Sequence, residues 1–133
     1  MKITGIVCEY NPFHNGHLYH LKKTRENGAT HIVAVMSGNY VQRGDTAVMD
    51  KFERAKLAVK GGADLVIEIP TVYALSSAEF YAKGAIYILD SIGCVDEISF
   101  GSEAGSVSEL EKAAEIADEC SGAPELEEYL KSG

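Results

Sequence analysis

Residues 3–21 read "ITGIVCEYNPFHNGHLYHL". An apolar run (3–8) passes through a polar turn holding Pro12 and the pair Asn15-Gly16. Apolar residues at helical spacing follow. A buried strand delivered through a short turn to a helix N-terminus is the opening unit of a parallel α/β sheet. Two histidines, His14 and His17, stand at that junction.

The same alternation continues outward. "HIVAVMS" (31–37), "DLVIEI" (64–69) and "EISFG" (97–101) are near-continuous apolar segments, the pattern of strands buried on both faces. Between them, "GHLYHLKKTREN" (16–27), "DKFERAKLAVKGG" (50–62) and "SAEFYAKGAIYILDSIG" (77–93) carry apolar residues at helical spacing. Gly28, Gly61-Gly62 and Gly93 stand where helices end. Four strands alternating with helices predict a parallel sheet with right-handed crossovers. Residues 106–131 predict one or two amphipathic acidic helices, Pro124 starting the second. The chain is expected to divide into an α/β domain over 1–105 and an acidic helical extension over 106–133. It stops without a fifth strand, an ending expected of a fragment of a longer α/β protein.

The 133 residues are 46% hydrophobic and 24% charged, a soluble globular balance with room for one core. No apolar run approaches a membrane span, and the N-terminus lacks a signal-peptide cleavage site. Cys8, Cys94 and Cys120 show no paired spacing, so free thiols in a reducing cytoplasm are expected. The net charge of −8 is uneven: residues 1–102 hold eleven acids and ten bases, residues 103–133 nine acids and two bases. Such a surface repels phosphate backbones and makes this chain alone a poor nucleic-acid binder.

The histidine junction admits three readings. The rings are packing residues; or His14, His17 and His20 bind a metal; or His14 and His17 clamp an anion. In open α/β sheets ligands sit at the strand C-terminal ends, and a helix N-terminus there favours negative charge. Pro12 fixes a turn and Gly16 admits close approach of backbone to a ligand. Imidazole N–H donors suit charge developing on an attacked phosphorus. Against metal, steps of three residues drift around a helix and no second cluster completes a ligand set, so no metal-binding residue is expected.

Elsewhere, "SGNYVQRGD" (37–45) leaves the second strand on the same edge, and Asn39, Gln42 and Arg43 make it either a substrate-holding loop or a turn. Lys51, Arg54 and Lys56 read as a solvated helix face. Lys22, Lys23 and Arg25 suit a helix C-terminus. Glu68 faces either the crevice or the sheet edge. Tyr73, Tyr81 and Tyr87 read as packing residues.

His14-Asn15-Gly16-His17 resembles the HxGH signature of the nucleotidyltransferase superfamily. The longer strings "GIVCEYNPFHNGHLYHL", "MSGNYVQRGDTAVMDKFERAKLAVKGGADLVIEIPTVYALSSAEFYAKGAI" and "ISFGSE" are similar, nearly end to end, to the N-terminal catalytic part of bacterial tRNA-Met cytidine acetate ligases. The resemblance implies a Rossmann-like, three-layer α/β/α fold of the HUP type. It implies acetyl-adenylate formation from acetate and ATP, then acetyl transfer to the wobble-cytidine N4 of elongator tRNA-Met. It carries over catalytic roles to His14 and His17. It also carries over an ATP loop of Val7, Cys8, Glu9, Tyr10, Asn11, Pro12, Phe13, His14, Asn15, Gly16, His17, Leu18, Tyr19 and His20, with a further contact at Gly101. Mg2+ is expected with the ATP. The family's downstream asparagine, arginine and second phosphate motif have no counterpart before Gly133, and tRNA contacts are expected in that absent region. Two alternatives stay open: an enzyme of this fold with a small-molecule acceptor, such as a phosphorylated vitamin, and an inactive nucleotide-binding fragment.

Overall fold

The computed structural model describes residues 1–102 and 106–120, without the side chains at 43, 119 and 120. The chain divides into two compact units, residues 1–100 and 101–133. In the first, β1 (Ile3–Cys8), α1 (Asn15–Glu26), β2 (His31–Met36), α2 (Lys51–Gly61), β3 (Leu65–Glu68), α3 (Thr71–Ala74), α4 (Ala78–Ser91) and β4 (Glu97–Ile98) follow in order, with a 3-10 turn at Gln42–Gly44. The second contains α5 (Val107–Cys120). The second acidic helix expected from Pro124, and the thiol of Cys120, lie outside the described residues.

All strand pairs are parallel, in the order β3-β2-β1-β4. The period of two along each strand separates two cores. Ile6, Ile32, Ala34 and Met36 pack with Leu21 of α1 and Ala58 of α2. Ile3, Val33 and Val35 pack with Ala74 of α3 and with Tyr81, Ala85 and Leu89 of α4. The helices thus form layers on both faces. A single crossover hand requires this: the chain moves one way from β1 to β3, then reverses to reach β4, so α4 must cross on the opposite face. Gly5 allows α4 to close on β1, since a Cβ there would stand 2.7 Å from Leu89 Cδ1.

The strand and helix positions follow the expected pattern, with four differences. β3 is an edge strand, and Leu65 is exposed rather than buried on both faces. β4 pairs over two residues, Thr4 with Glu97 and Gly5 with Ile98. The Ser99 N–H then reaches Gly5 O at 2.9 Å while its hydroxyl turns to His20 and Thr24, and the strand ends short of the expected Gly101. The four-residue α3 was not expected, since Pro70, Thr71 and Val72 are poor helix formers; Pro70 starts it. Tyr87, expected to pack, is 70% exposed, while Tyr81 is buried and Tyr73 partly exposed. Among the described residues no helix is long and apolar enough to cross a membrane.

Candidate functional site

At the C-terminal ends of β1 and β2 lies an open cleft of about 500 Å³, lined by Val7, Cys8, Glu9, Tyr10, Asn11, Pro12, His14, His17, Gln42 and Tyr81. β1 delivers the chain to its rim. The backbone then turns sharply: Tyr10 has φ +48° and is buried, and the Asn11–Pro12 peptide is cis. The Tyr10 ring lies edge-on to Phe13 at 5.0 Å and 4.8 Å from the ring of His17. Its hydroxyl is buried against the Cys8 thiol.

The two histidines cap α1 reciprocally. His14 is the N-cap, and its Nδ1 accepts from the Gly16 N–H at 3.1 Å; Nδ1 of His17 accepts from the His14 N–H at 3.2 Å. An Nδ1 that accepts carries no proton, so each neutral ring holds its proton on Nε2. The rings stack with centroids 3.7 Å apart, and each offers an Nε2–H donor from a ring that lines the cleft. Burial, then the neighbouring His14 and His20, lowers the His17 pKa below the ordinary value. His17 is therefore held towards the neutral imidazole, which meets a ligand as a hydrogen-bond donor. No acid occupies the first turn of α1, so the positive end of its dipole meets the capping imidazoles and no carboxylate of its own turn.

Gly16 serves the cap itself, because a Cβ there would meet His14 Cε1 at 2.9 Å. Of the other loop residues, Phe13 packs towards Gly61 of α2 and Tyr19 is exposed. His20 turns away: its Nε2 shares a hydrogen bond with Ser99 Oγ at 2.9 Å, and burial lowers its pKa. Phe13, Asn15, Gly16, Leu18, Tyr19 and His20 do not line the cleft. Gly101 follows β4 by three residues and is exposed.

Sequence reasoning gave Tyr81 a packing role and Arg54 a solvated one, and placed neither at the cleft. Tyr81 donates to Cys8 O at 2.8 Å and shares a hydrogen bond with Ser37 Oγ at 3.0 Å, which ties α4 to the cleft; burial raises its pKa. Arg54, expected on a solvated face, is 0% exposed. Desolvation lowers its pKa, and its guanidinium donates to backbone carbonyls. The loop after β2 is held to the junction: the Gln42 N–H donates to Glu9 Oε1 at 2.7 Å and the Val48 N–H to Asn11 Oδ1 at 2.8 Å. The side chain of Arg43 lies outside the description. Glu68 ends the edge strand and pairs with Lys51 at 2.6 Å. Burial pushes the Cys8 thiol up to about 12, which makes it a poor nucleophile.

Glu9 is, among the described residues, the one carboxylate lining the cleft, and its Oε1 is already engaged by Gln42 and Ser37. Among the described residues no group of three or more His, Cys, Asp or Glu is placed to hold a metal ion. These residues do not fit a protein-built magnesium site.

The chain is similar to proteins named tRNA(Met) cytidine acetate ligase. That of Thermoanaerobacter sp. (strain X514) is 56% identical over 136 residues, covering 100% of this chain and 34% of that protein. That of Clostridium tetani (strain Massachusetts / E88) is 56% identical over 120 residues, covering 90% of this chain and 30% of that protein. The crystal structure of Thermotoga maritima TmcAL bound with alpha-thio ATP superposes with a TM-score of 0.88 at 47% identity, over 100% of this chain and 33% of that one. The chain spans about a third of the length of these relatives. A model of the family described as HIGH Nucleotidyl Transferase matches residues 1–133, from one end of the chain to the other, and the chain belongs to that family.

Proposed function

We propose that this chain is the ATP-binding part of a ligase that activates acetate and passes the acetyl group to the wobble-cytidine N4 of elongator tRNA-Met. The observation that carries the ATP reading is the capped histidine pair. Two Nε2–H donors, on rings whose other nitrogens are committed to the backbone, stand in the cleft at a helix N-terminus whose first turn holds no acid. A polyphosphate supplies the acceptors such a site lacks. In the first step an acetate oxygen attacks the α-phosphorus, the bond to the bridging oxygen breaks, and pyrophosphate leaves with the electron pair. Negative charge grows on phosphate oxygens, where fixed N–H donors stabilise it most. In the second, the cytidine amine attacks the acetyl carbonyl and AMP departs. Names of relatives and an alpha-thio ATP complex support the substrate classes. Nucleotide contacts by the rest of residues 7–20 and by Gly101, entry of magnesium with the phosphates, and a cytoplasmic location belong to the same proposal.

Exchange of labelled pyrophosphate into ATP by the full polypeptide tests it. Exchange that requires acetate is expected. Exchange driven only by another acceptor would replace acetate with that acceptor. ATP binding without exchange under any condition would reduce the chain to a nucleotide-binding module.

A further inference from the structure

Arg54 buries its charge completely, yet among the described residues no carboxylate bonds its guanidinium. Four backbone carbonyls receive it. Nε donates to Met49 O at 3.1 Å, Nη1 to Glu9 O at 2.6 Å and Ser37 O at 3.1 Å, and Nη2 to Gly38 O. Glu9 is the residue by which β1 leaves the sheet, and Ser37 and Gly38 are those by which β2 leaves it. All three lie where the strands leave the sheet, at the edge where the cleft opens. One planar fork gathers them. From there the connection reaches the cleft. The Glu9 carboxylate accepts from the Gln42 N–H at 2.7 Å and from Ser37 Oγ at 3.3 Å, and Gln42 lines the cleft wall.

We infer that Arg54 is a positioning residue for the cleft: through the carbonyls of Glu9, Ser37 and Gly38 it fixes the β1 and β2 exits, and so sets the Glu9 carboxylate and the turn that carries Gln42. The consequence for nucleotide binding rests on the reading that ATP enters this cleft. Packing alone does not require a guanidinium here, since burying a charge is costly and the Glu9 and Asp50 carboxylates act on it without a direct hydrogen bond. Lysine keeps the charge but has a single nitrogen, which cannot reach four carbonyls spread around a fork.

The test is Arg54→Lys in the full polypeptide, with two readouts. Hydrogen exchange at the Gln42 amide, compared with the amides of Ala34 and Val35 inside β2, reports the turn without any nucleotide. The KM for ATP and kcat of acetate-dependent exchange report the cleft. The expected result is Gln42 protection lower by about tenfold, corresponding to roughly one hydrogen bond, with the β2 amides unchanged. KM for ATP should rise by a similar factor while kcat changes little. A lower melting temperature with Gln42 protection and KM both unchanged would make Arg54 merely structural and overturn the inference. If the wild-type protein bound no ATP, the ATP reading would fall and the Gln42 amide would still decide the role of Arg54. If Arg54→Lys did not fold, Glu9→Gln would serve, as it keeps the shape and weakens the bond to Gln42. Loss of Gln42 protection supports the connection, and unchanged protection overturns it.

Discussion

His14 and His17 are each committed at Nδ1, and among the described residues neither Nε2 has a hydrogen-bond partner. Because Nδ1 of each ring is spent on a backbone N–H of α1, the helix start and the donor geometry form one unit. His17→Ala should therefore slow adenylate formation more than it weakens ATP binding. The charge it meets grows in the transition state, so a loss of about 2–4 kcal/mol of barrier stabilisation is expected. Single-turnover rates and ATP affinities, measured side by side, check this; equal losses in both would show a ground-state contact only. Burial of the His17 ring, with His14 and His20 beside it, gives a pH dependence. The folded-state pKa of His17 is lowered, so the unfolded chain binds the extra proton first as pH falls. The contribution to stability is complete above the ordinary value of 6.5 and is lost as pH drops through the folded value. His17→Asn, with an amide in place of the imidazole, should flatten that part of a melting-temperature curve between about pH 7 and 5. An unchanged curve would remove His17 as its source. The histidine pair was legible in the sequence because both residues carry side-chain chemistry at a strand-to-helix junction. Arg54 was not, because its partners are carbonyls, which leave no mark in a sequence.

Four elements meet at the cleft: β1 and α1 build the junction, the turn after β2 walls it, and α4 reaches it through Tyr81. The approach of α4 depends on Gly5. Gly5→Ala should gain about 0.5–1 kcal/mol from a stiffer strand residue and lose about 1–3 kcal/mol from overpacking against Leu89. A net destabilisation of roughly 1 kcal/mol is expected, because Leu89 is itself buried and has little room to yield. Denaturant unfolding measures it; a variant as stable as the wild type would show that Leu89 finds another rotamer without cost. Strands and long helices were legible since their apolar periods differ and span many residues. α3 is too short for a period, and its Thr71 and Val72 argue against a helix. β4 pairs over two residues although its apolar run is longer, and the contact of Ser99 with His20 just beyond it joins residues 79 positions apart, which no local pattern shows. Tyr81 and Tyr87 looked alike, and only the rotation of α4 separates the buried ring from the exposed one.

At the scale of the whole molecule, charge limits what the chain does alone. Eleven acids against ten bases over residues 1–102, and nine against two over 103–133, leave neither segment a net positive charge. Polynucleotide affinity rests on neutralising phosphates, so the isolated 133 residues should show little tRNA binding near 150 mM salt. A filter-binding titration reads this directly, and tight binding would contradict the charge argument. The central claim, that ATP phosphates meet the two imidazole Nε2–H groups, has its own direct measurement. In protein labelled with 15N at histidine, long-range 1H–15N spectra follow each ring nitrogen as ATP is added. Nε2 of His14 and of His17 should shift together, while Nδ1 of both keeps the signature of an unprotonated acceptor. Saturation with ATP that leaves both Nε2 signals in place, or that moves only His20 or His31, would contradict it.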